Sequence, residues 1–352
     1  MPQKVGKVEF YAGPHDVGAP DNLEDVIVDF IDGAQKRLEI AVQELESEPI
    51  ANAIIRARKE RKVLVKLVIE HDYLRARQAR ADPWEAGGKN EPNRRIHSAI
   101  LRASIDVKPD YNASIFHQKF MIRDRESLLT GSTNFTPTGV HNNLNHLVVV
   151  HDAEVAKTYA REFREIRQGH FGKLNEGHDP APPDLKVSNV RIRILFAPDH
   201  SPEMEIMKQM LKAQKRIDFA IFTFSQSSGI DDTMLRLLQG GMPIRGAFDA
   251  MPGGADWAAI PALRAAGAQL YSVRKGNGVG KLHHKLMVLD ESVVIAGSFN
   301  YTGPANRVND ENIIILGDLG ATTNVARNAQ RKIARYALDE IERIIRVHAR
   351  RM

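Results

Sequence analysis

A six-position pattern, His-x-Lys-x4-Asp-x6-Gly-Ser-x-Asn, occurs twice in this 352-residue chain in the same register. The first copy holds His117, Lys119, Asp124, Gly131, Ser132 and Asn134; the second holds His283, Lys285, Asp290, Gly297, Ser298 and Asn300. Each residue of the second copy lies 166 positions after its counterpart. A lone His-x-Lys carries no information, whereas six matched positions at one constant offset imply a duplicated folding unit. The similarity extends beyond the motifs. AQKRLEIAVQEL (34–45) matches AQKRIDFAIFTF (213–224), VEFYAGPHD (8–16) resembles IRILFAPDH (192–200), and LRASIDV (101–107) resembles LRAAGAQL (263–270).

Local patterns give each half the same plan: strand, helix, strand, helix, strand, helix, a hairpin-like pair of strands carrying the motif, then a further helix. DNLEDVIVDFIDGAQKR puts Leu23, Val26, Ile27, Phe30 and Ile31 on one helical face, with Asp21 as its N-cap. LEIAVQEL, KVLVKLVIE and PIRGAFDA are short, nearly continuous apolar runs, which suit strands covered on both faces. HLVVV (146–150) and NIIIL (312–316) add a strand after each motif, and EVAKTYAREFREIR and VARNAQRKIARYALDEIERIIRV read as helices. The predicted fold is α/β: two similar α/β/α sandwich lobes with mixed sheets, related by a pseudo-two-fold axis, with the site at the lobe interface. The expected division is a first lobe at 1–173, a linker at 174–188 and a second lobe at 189–352. The junction falls in GKLNEGHDPAPPDLKVS, which is rich in Pro, Gly and charge.

Hydrophobic residues make up 43% of the chain and charged residues 26%, an ordinary globular composition. There is no cysteine, which excludes disulfides, thiolate metal sites and cysteine nucleophiles together. No apolar run approaches the ~18 residues that span a bilayer. MPQKVGKVEFYAGPHD lacks an apolar leader segment, so a cytoplasmic location is expected. The net charge of +5 is modest, and next to phosphate chemistry it leans towards a polyanionic substrate.

Within each motif, His and Lys stand two apart on a strand and point to the same face. The Gly-to-Asn step suits a tight turn that lets backbone approach an anion. Two halves packed face to face would then pool two imidazoles, two ammonium groups and two carboxamides. That inventory fits phosphodiester cleavage through a phosphohistidine. Lysines and asparagines would hold the non-bridging oxygens, one imidazole would attack phosphorus, and the other would protonate the leaving oxygen and then activate water. The lysines supply charge that a metal supplies elsewhere, so no metal site and no cofactor is expected.

Both motifs match the HKD signature of the phospholipase D superfamily, and the resemblance covers effectively the whole chain. It implies a two-lobed fold, catalytic roles for His117 and His283, and phosphate-binding roles for Lys119, Lys285, Asn134 and Asn300. Asp124 and Asp290 match as well, and in this family that aspartate is structural, at best in the layer behind the site. Ser132 and Ser298 either touch phosphate or only shape the turn. One asymmetry bears on role. Eleven residues after Asn300 stands Glu311; eleven after Asn134 stands Asn145, an amide that can orient or contact substrate without charge. If Glu311 reaches across the interface it orients His117, which would then be the nucleophile. If it serves its own lobe, the roles swap.

The first half carries about 13 extra residues within 73–97, where Arg75, Arg77, Arg80, Lys89, Arg94, Arg95 and Trp84 lie. This stretch reads either as a tolerated surface insertion or as a basic wall that contacts phosphates and stacks a base. RKGNGVGKLHHK (274–285) either lines the groove or is simply a turn. The C-terminal arginines, among them Arg331, Arg335 and Arg343, read as a solvated helix face. His284 is expected to be structural and His200 to lie at the surface; His15, His71, His97, His141 and His146 show no partner in sequence.

For the substrate, nucleic acid (DNA or RNA) is the leading expectation. Its basis is the basic balance, the insertion, and GSFNYTGPANRVNDENIIIL, which resembles the GSFNFT…N-x-EN stretch of the bacterial nuclease branch. The alternative is a phospholipase D or a phosphatidyltransferase of the cardiolipin-synthase kind. A silent binding module is a third class, disfavoured by two complete motifs. Two motifs complete one site, so a monomer suffices for chemistry.

Overall fold

The computed structural model describes residues 2–75, 87–88, 90–175, 177 and 179–352. The first half contains β1 (Gln3–Val5), β2 (Val8–Gly13), α1 (Leu23–Asp32), β3 (Arg37–Val42), α2 (Glu48–Lys59), β4 (Leu64–Ile69), α3 (Glu91–Arg102), β5 (Asp106–Pro109), β6 (Lys119–Arg123), β7 (Ser127–Gly131), α4 (Pro137–His141), β8 (Asn145–Val150) and α5 (Ala153–Gln168). The second contains β9 (Leu185–Val187), β10 (Val190–Ala197), α6 (Pro202–Lys212), β11 (Ile217–Ile221), α7 (Ile230–Gln239), β12 (Ile244–Asp249), α8 (Ala250–Gly253), α9 (Ile260–Ala265), β13 (Gln269–Val273), β14 (Lys285–Leu289), β15 (Val293–Gly297), α10 (Gly303–Arg307), β16 (Glu311–Leu316), α11 (Asn324–Val347) and β17 (Ala349–Arg351).

Each half forms one mixed sheet. The strand orders are β1-β2-β8-β7-β6-β3-β4-β5 and β17-β13-β12-β11-β14-β15-β16-β10-β9, the same path traced twice with β17 added at one edge. β3-β4-β5 and β11-β12-β13 run parallel, and the motif hairpins β6–β7 and β14–β15 insert antiparallel beside them. Lys119 pairs with Val42 and Lys285 with Ile221, so the two lysines occupy equivalent sheet positions. β5 and β13 had no apolar signature in sequence. Both stand near a sheet edge and are largely half-exposed, so no continuous apolar run is needed.

Helices cover both faces of both sheets, but the inner layer is shared. α5 and α11 lie between the sheets in one core cluster that draws on both halves: Phe10, Phe120, Tyr159 and Phe163 meet Phe196, Leu286, Ala337 and Ile341. Tyr159 packs edge-on against both Phe120 and Phe196, with ring centroids 5.1 and 5.0 Å away. Two outer clusters lie under α1–α3 and under α6, α7 and α9. α11 also ties back to the first half, where Tyr336 Oη donates to Asp21 Oδ2 at 2.7 Å and Arg343 donates to the Val17 carbonyl. The N-cap of α1 is Asn22, whose Oδ1 accepts from Glu24 and Asp25 N–H. Asp21, expected there, instead accepts from the Ala12 N–H and from Tyr336. Either side chain can cap, and tertiary contacts chose between the neighbours.

Asp124 and Asp290 sit at the hairpin turns with positive φ of 55° and 51°. Asp124 accepts the N–H groups of Gln35, Lys36 and Arg37 at 2.9, 2.7 and 2.8 Å. Asp290 does the same for Gln214, Lys215 and Arg216. The AQKR repeat and the motif aspartate are thus one device, a carboxylate pinning the start of β3 or β11. Neither aspartate touches a motif His, Lys or Asn; β6 or β14 separates them. Their place is the opposite end of the strand, not the layer behind the site. Burial raises the Asp124 carboxyl, but the three N–H bonds outweigh it and hold the group below the usual carboxylate range. Asp124→Ala should therefore lower unfolding free energy by about 2 kcal/mol at pH 7. Stability from a depressed carboxylate is present above the unfolded pKa and lost as pH falls through the folded one. The deficit, read from urea melts, should be full above the unfolded value of about 4 and shrink as pH falls below it.

Candidate active site

Two related backbone bridges close the seam. Phe116 pairs with Asp310 and Leu144 with Leu282, both in parallel sense and again 166 residues apart. The His117 N–H donates to the Asp310 carbonyl at 3.0 Å, and the His283 N–H to the Leu144 carbonyl at 2.9 Å. Each motif histidine is thereby held by the other half's main chain. Glu70 Oε2 accepts the Phe116 N–H at 2.7 Å and Asp249 Oδ2 the Leu282 N–H at 2.9 Å, fixing the two approaches.

The side chains cross the same seam. His117 Nδ1 lies 2.7 Å from Glu311 Oε2, and His283 Nδ1 lies 3.0 Å from Asn145 Oδ1. Ser298 Oγ donates to Glu311 Oε2 at 2.6 Å, and Ser132 Oγ donates to Asn145 Oδ1 at 2.7 Å. Asn145 Nδ2 donates to the Gly139 carbonyl, so its oxygen must face the imidazole. Of the two roles open to Asn145, Ser132 and Ser298, substrate contact or support of the turn and the imidazole, the structure shows the second: all three are fully buried and their bonds are committed to the histidine supports. Gly131 and Gly297 leave no room for a side chain. A Cβ at Gly297, where φ is 140°, would meet the Asn312 carbonyl oxygen at 2.3 Å.

Lys119 and Lys285 are buried, and each donates to the carbonyl of its own motif histidine at 2.8 Å. Their other surroundings differ. Lys119 Nζ donates to Gln43 Oε1 at 2.9 Å, whereas Lys285 Nζ faces the Phe222 ring at 5.3 Å. Burial pulls Lys119 down to about 7 despite Glu311, Glu44 and Glu70. Lys285 lies well below the ordinary lysine value through burial and repulsion from Lys119. Burial, then Lys119 and Lys285, hold His117 well below the ordinary imidazole value. Burial, then Lys285, Lys119 and His117, do so for His283. Glu311 is pushed up to about 8 by burial, against the pull of both ammonium groups. An anion entering this site would offset the depression of the lysines and imidazoles, while pushing Glu311 up further. Asn134 Nδ2 donates to Glu44 Oε1 at 2.9 Å, while the amide oxygens of Asn134 and Asn300 are buried without a partner.

Behind the site the two halves differ; His284 has the structural place expected of it, while the partners of His146, Gln118 and Asn312 were not foreseen. Asn312 Nδ2 donates to Gln118 Oε1 at 2.7 Å, and Thr130 and Tyr159 both donate to Asn312 Oδ1. The related positions hold His284 and His146, whose rings stack with Nδ1 atoms 3.1 Å apart. His146 Nε2 accepts the Gly297 N–H, which places its proton on Nδ1, facing His284; His284 Nε2 then faces Glu340 at 3.4 Å. Both positions directly follow a site residue, and the 166-residue offset was the signal that could have found them. Arg343 is no solvated residue, since it caps this chain with an ion pair to buried Glu340.

Two clusters outside the site have metal-ligand character: Glu70, His71 and Asp110, and Asp179, Asp199 and His200. In the first, the Asp110 and Glu70 oxygens already accept backbone N–H groups of His71, Asn112, Asp72 and Phe116. In the second, His200 Nδ1 accepts the Phe196 N–H, so Nε2 carries the proton offered to Asp179. Both read as hydrogen-bonded clamps. His200, expected at the surface, has a ring only 2% exposed. Of the insertion, Arg75, Arg94 and Arg95 pair with Asp72, Glu91 and Glu48. Arg77, Arg80, Trp84 and Lys89 lie outside the described residues.

Comparison with known proteins agrees with this geometry. The family profile described as cardiolipin synthase, PLD-like domain, matches residues 27–167 and 206–333. A mitochondrial cardiolipin hydrolase from Xenopus laevis is 27% identical over 149 residues, 42% of this chain and 59% of that protein. A phospholipase D from Rickettsia bellii (strain RML369-C) is 28% identical over 152 residues, 43% of this chain and 67% of that protein. The chain thus spans a little over half the length of the frog relative. The phosphatidylserine synthase of Haemophilus influenzae Rd KW20 superposes with a TM-score of 0.68 at 14% identity, covering 100% of this chain and 88% of that one, a likeness of fold. With the profile matching most of both halves and each half repeating the same sheet and motif, the chain belongs to the PLD-like domain family.

Proposed function

We propose that this protein cleaves a phospholipid phosphodiester through a phosphohistidine on His117, with His283 as general acid and then general base. The observation that carries the role assignment is the unequal support of the two imidazoles, a carboxylate 2.7 Å from His117 and an amide 3.0 Å from His283. With Glu311 ionised, the His117 proton rests on Nδ1, and the Nε2 lone pair is free to attack phosphorus. The P–N bond forms as the bond to the leaving alcohol breaks, and the His283 imidazolium delivers its Nε2 proton to the departing oxygen. Water then attacks phosphorus, its proton passes to His283, and the P–N bond breaks. Lys119 and Lys285 neutralise the equatorial oxygens, with the amide groups of Asn134 and Asn300 beside them. An amide partner suits His283, because it orients the ring without stabilising the imidazolium so far that proton delivery fails.

The lipid reading is supported by the names of the relatives, a cardiolipin hydrolase and a phospholipase D, and by the cardiolipin synthase profile. This reverses the order reached from sequence. Nucleic acid is the second reading, resting on the net charge of +5 and the exposed Arg274, Lys275 and Lys281. No helix among the described residues is long and apolar enough to cross a membrane. A lipid substrate would therefore be met at an interface.

His117→Ala and His283→Ala should each lower kcat on diphosphatidylglycerol vesicles by at least about 10³-fold, and Glu311→Gln by about 10²-fold. In the wild type, acid-labile, base-stable phosphate should be trapped on His117 during turnover. Label recovered on His283 instead would reverse the roles, and a near-wild-type rate in either histidine variant would refute the composite site. Oligonucleotide turnover without lipid turnover would sink the lipid reading.

The depressed lysines set a second expectation. Lys119 carries its charge below about 7 in the empty site and loses it above. Competitive inhibition by dimethyl phosphate, a monoanion at every pH tested, should weaken as pH rises through 7, by up to about tenfold per unit for one lysine. A flat profile from pH 6 to 9 would show that the ammonium groups do not bind the diester.

A further inference from the structure

The loop 274–281, which leads into the second motif, is not used by the chemistry above. It folds back on itself through Gly276 and Val279, bonded N–H to carbonyl in both directions at 3.0 and 2.9 Å. The first half pins it: Asn142 Nδ2 donates to the Gly278 carbonyl at 3.1 Å, and the Gly280 N–H to the Asn142 carbonyl at 2.9 Å. Between the two segments lies a cavity of about 530 Å³, lined by Thr138, Asn142, Asn143, Lys275, Val279 and Lys281, with no carboxylate in its wall. Both lysines are exposed, and among the described residues neither has a carboxylate within 4.0 Å.

This cavity adjoins the site. Lys281 is two residues before His283 in a segment paired with Leu144, so both side chains leave the same face. The Lys281 ammonium lies 5.4 Å from the Phe222 ring centre, and the His283 ring lies 5.1 Å from it. The related flank of the first half is chemically opposite. There Ile115 replaces Lys281 and Gln43 replaces Phe222, and a second cavity of about 530 Å³ is walled by Glu70, Asp72, Arg75 and Ile115. One flank thus offers two cations without an ion-pair partner, a hydroxyl and amides; the other, among the described residues, offers Glu70 and an Asp72–Arg75 pair.

We infer that the cavity between 138–143 and 275–281 is a second-phosphate subsite, and that the preferred substrate is a phospholipid whose leaving alcohol itself carries a phosphodiester. This rests on the proposed role of His283, because the departing alcohol lies on the flank of the group that protonates it. A cationic head group leaving there would meet Lys275 and Lys281 in a wall without counter-charge, whereas an anionic one is complementary.

The test uses the full chain and the double variant Lys275→Gln/Lys281→Gln. The wild type should turn over diphosphatidylglycerol in mixed vesicles at least about tenfold more efficiently than phosphatidylcholine, and the variant should lose that ratio mainly through KM. An arm independent of turnover measures calorimetric binding of glycerol 1,3-bisphosphate against glycerol 3-phosphate. The wild type should favour the bisphosphate at least about tenfold, and the variant should not. Equal losses on both lipids, or no wild-type preference for the bisphosphate, would overturn the subsite. Lysine-dependent turnover confined to oligonucleotides would overturn the lipid assignment. A bisphosphate preference that depends on the lysines, with no turnover of any lipid, would support the subsite while refuting the proposed function.

Discussion

The site depends on a main-chain exchange across the seam. His117 and His283 each give their backbone N–H to a carbonyl of the opposite half, in parallel bridges related by the repeat offset. A histidine held this way is in place only when the halves are docked, and docking is itself secured by the shared core of α5 and α11 between the sheets. Folding energy and site geometry are therefore the same contacts. Tyr159 illustrates the point: its ring bridges Phe120 and Phe196, and its hydroxyl reaches Asn312, one residue from Glu311.

Docking also sets the electrostatics. Two lysines and two imidazoles are gathered in a buried seam with Glu311 as the close carboxylate partner, so burial depresses all four, and repulsion from neighbouring cations adds to it for His117, His283 and Lys285. Such an arrangement is costly when empty and is relieved by an anion, which is the sense in which the site is prepared for phosphate. The Asp–backbone clamps at 124 and 290 lie at the far end of the same strands and hold the scaffold rigid without entering this balance.

Duplication supplied two of everything, and function rests on where the copies diverged. Glu311 against Asn145 separates the imidazoles, Gln43 against Phe222 separates the lysines, and Lys281 against Ile115 separates the flanks. Gln118–Asn312 against His284–His146 separates the layers behind them. A symmetric site would present identical groups on both sides, whereas this one presents a different environment on each side of the seam.

Much of this was written in the sequence. The repeat, the strand and helix runs, the motif residues and the Glu311 asymmetry were legible because hydrophobic period and fixed spacing are local properties. The half-exposed strands β5 and β13, the choice of Asn22 over Asp21, and the burial of the His200 ring were not, since each follows from what packs against the segment. The sequence left two roles open for the serines and Asn145, and the fold decided for support of the histidines, because a polar side chain's partner is set by what surrounds it. Sequence alone determined that two equivalent units would bring matched imidazoles, ammonium groups and amides together. Only the tertiary structure decided that Glu311 crosses the seam to His117 and that Lys281 and Ile115 face opposite flanks. Partners 194 residues apart meet only when two complete cores have packed.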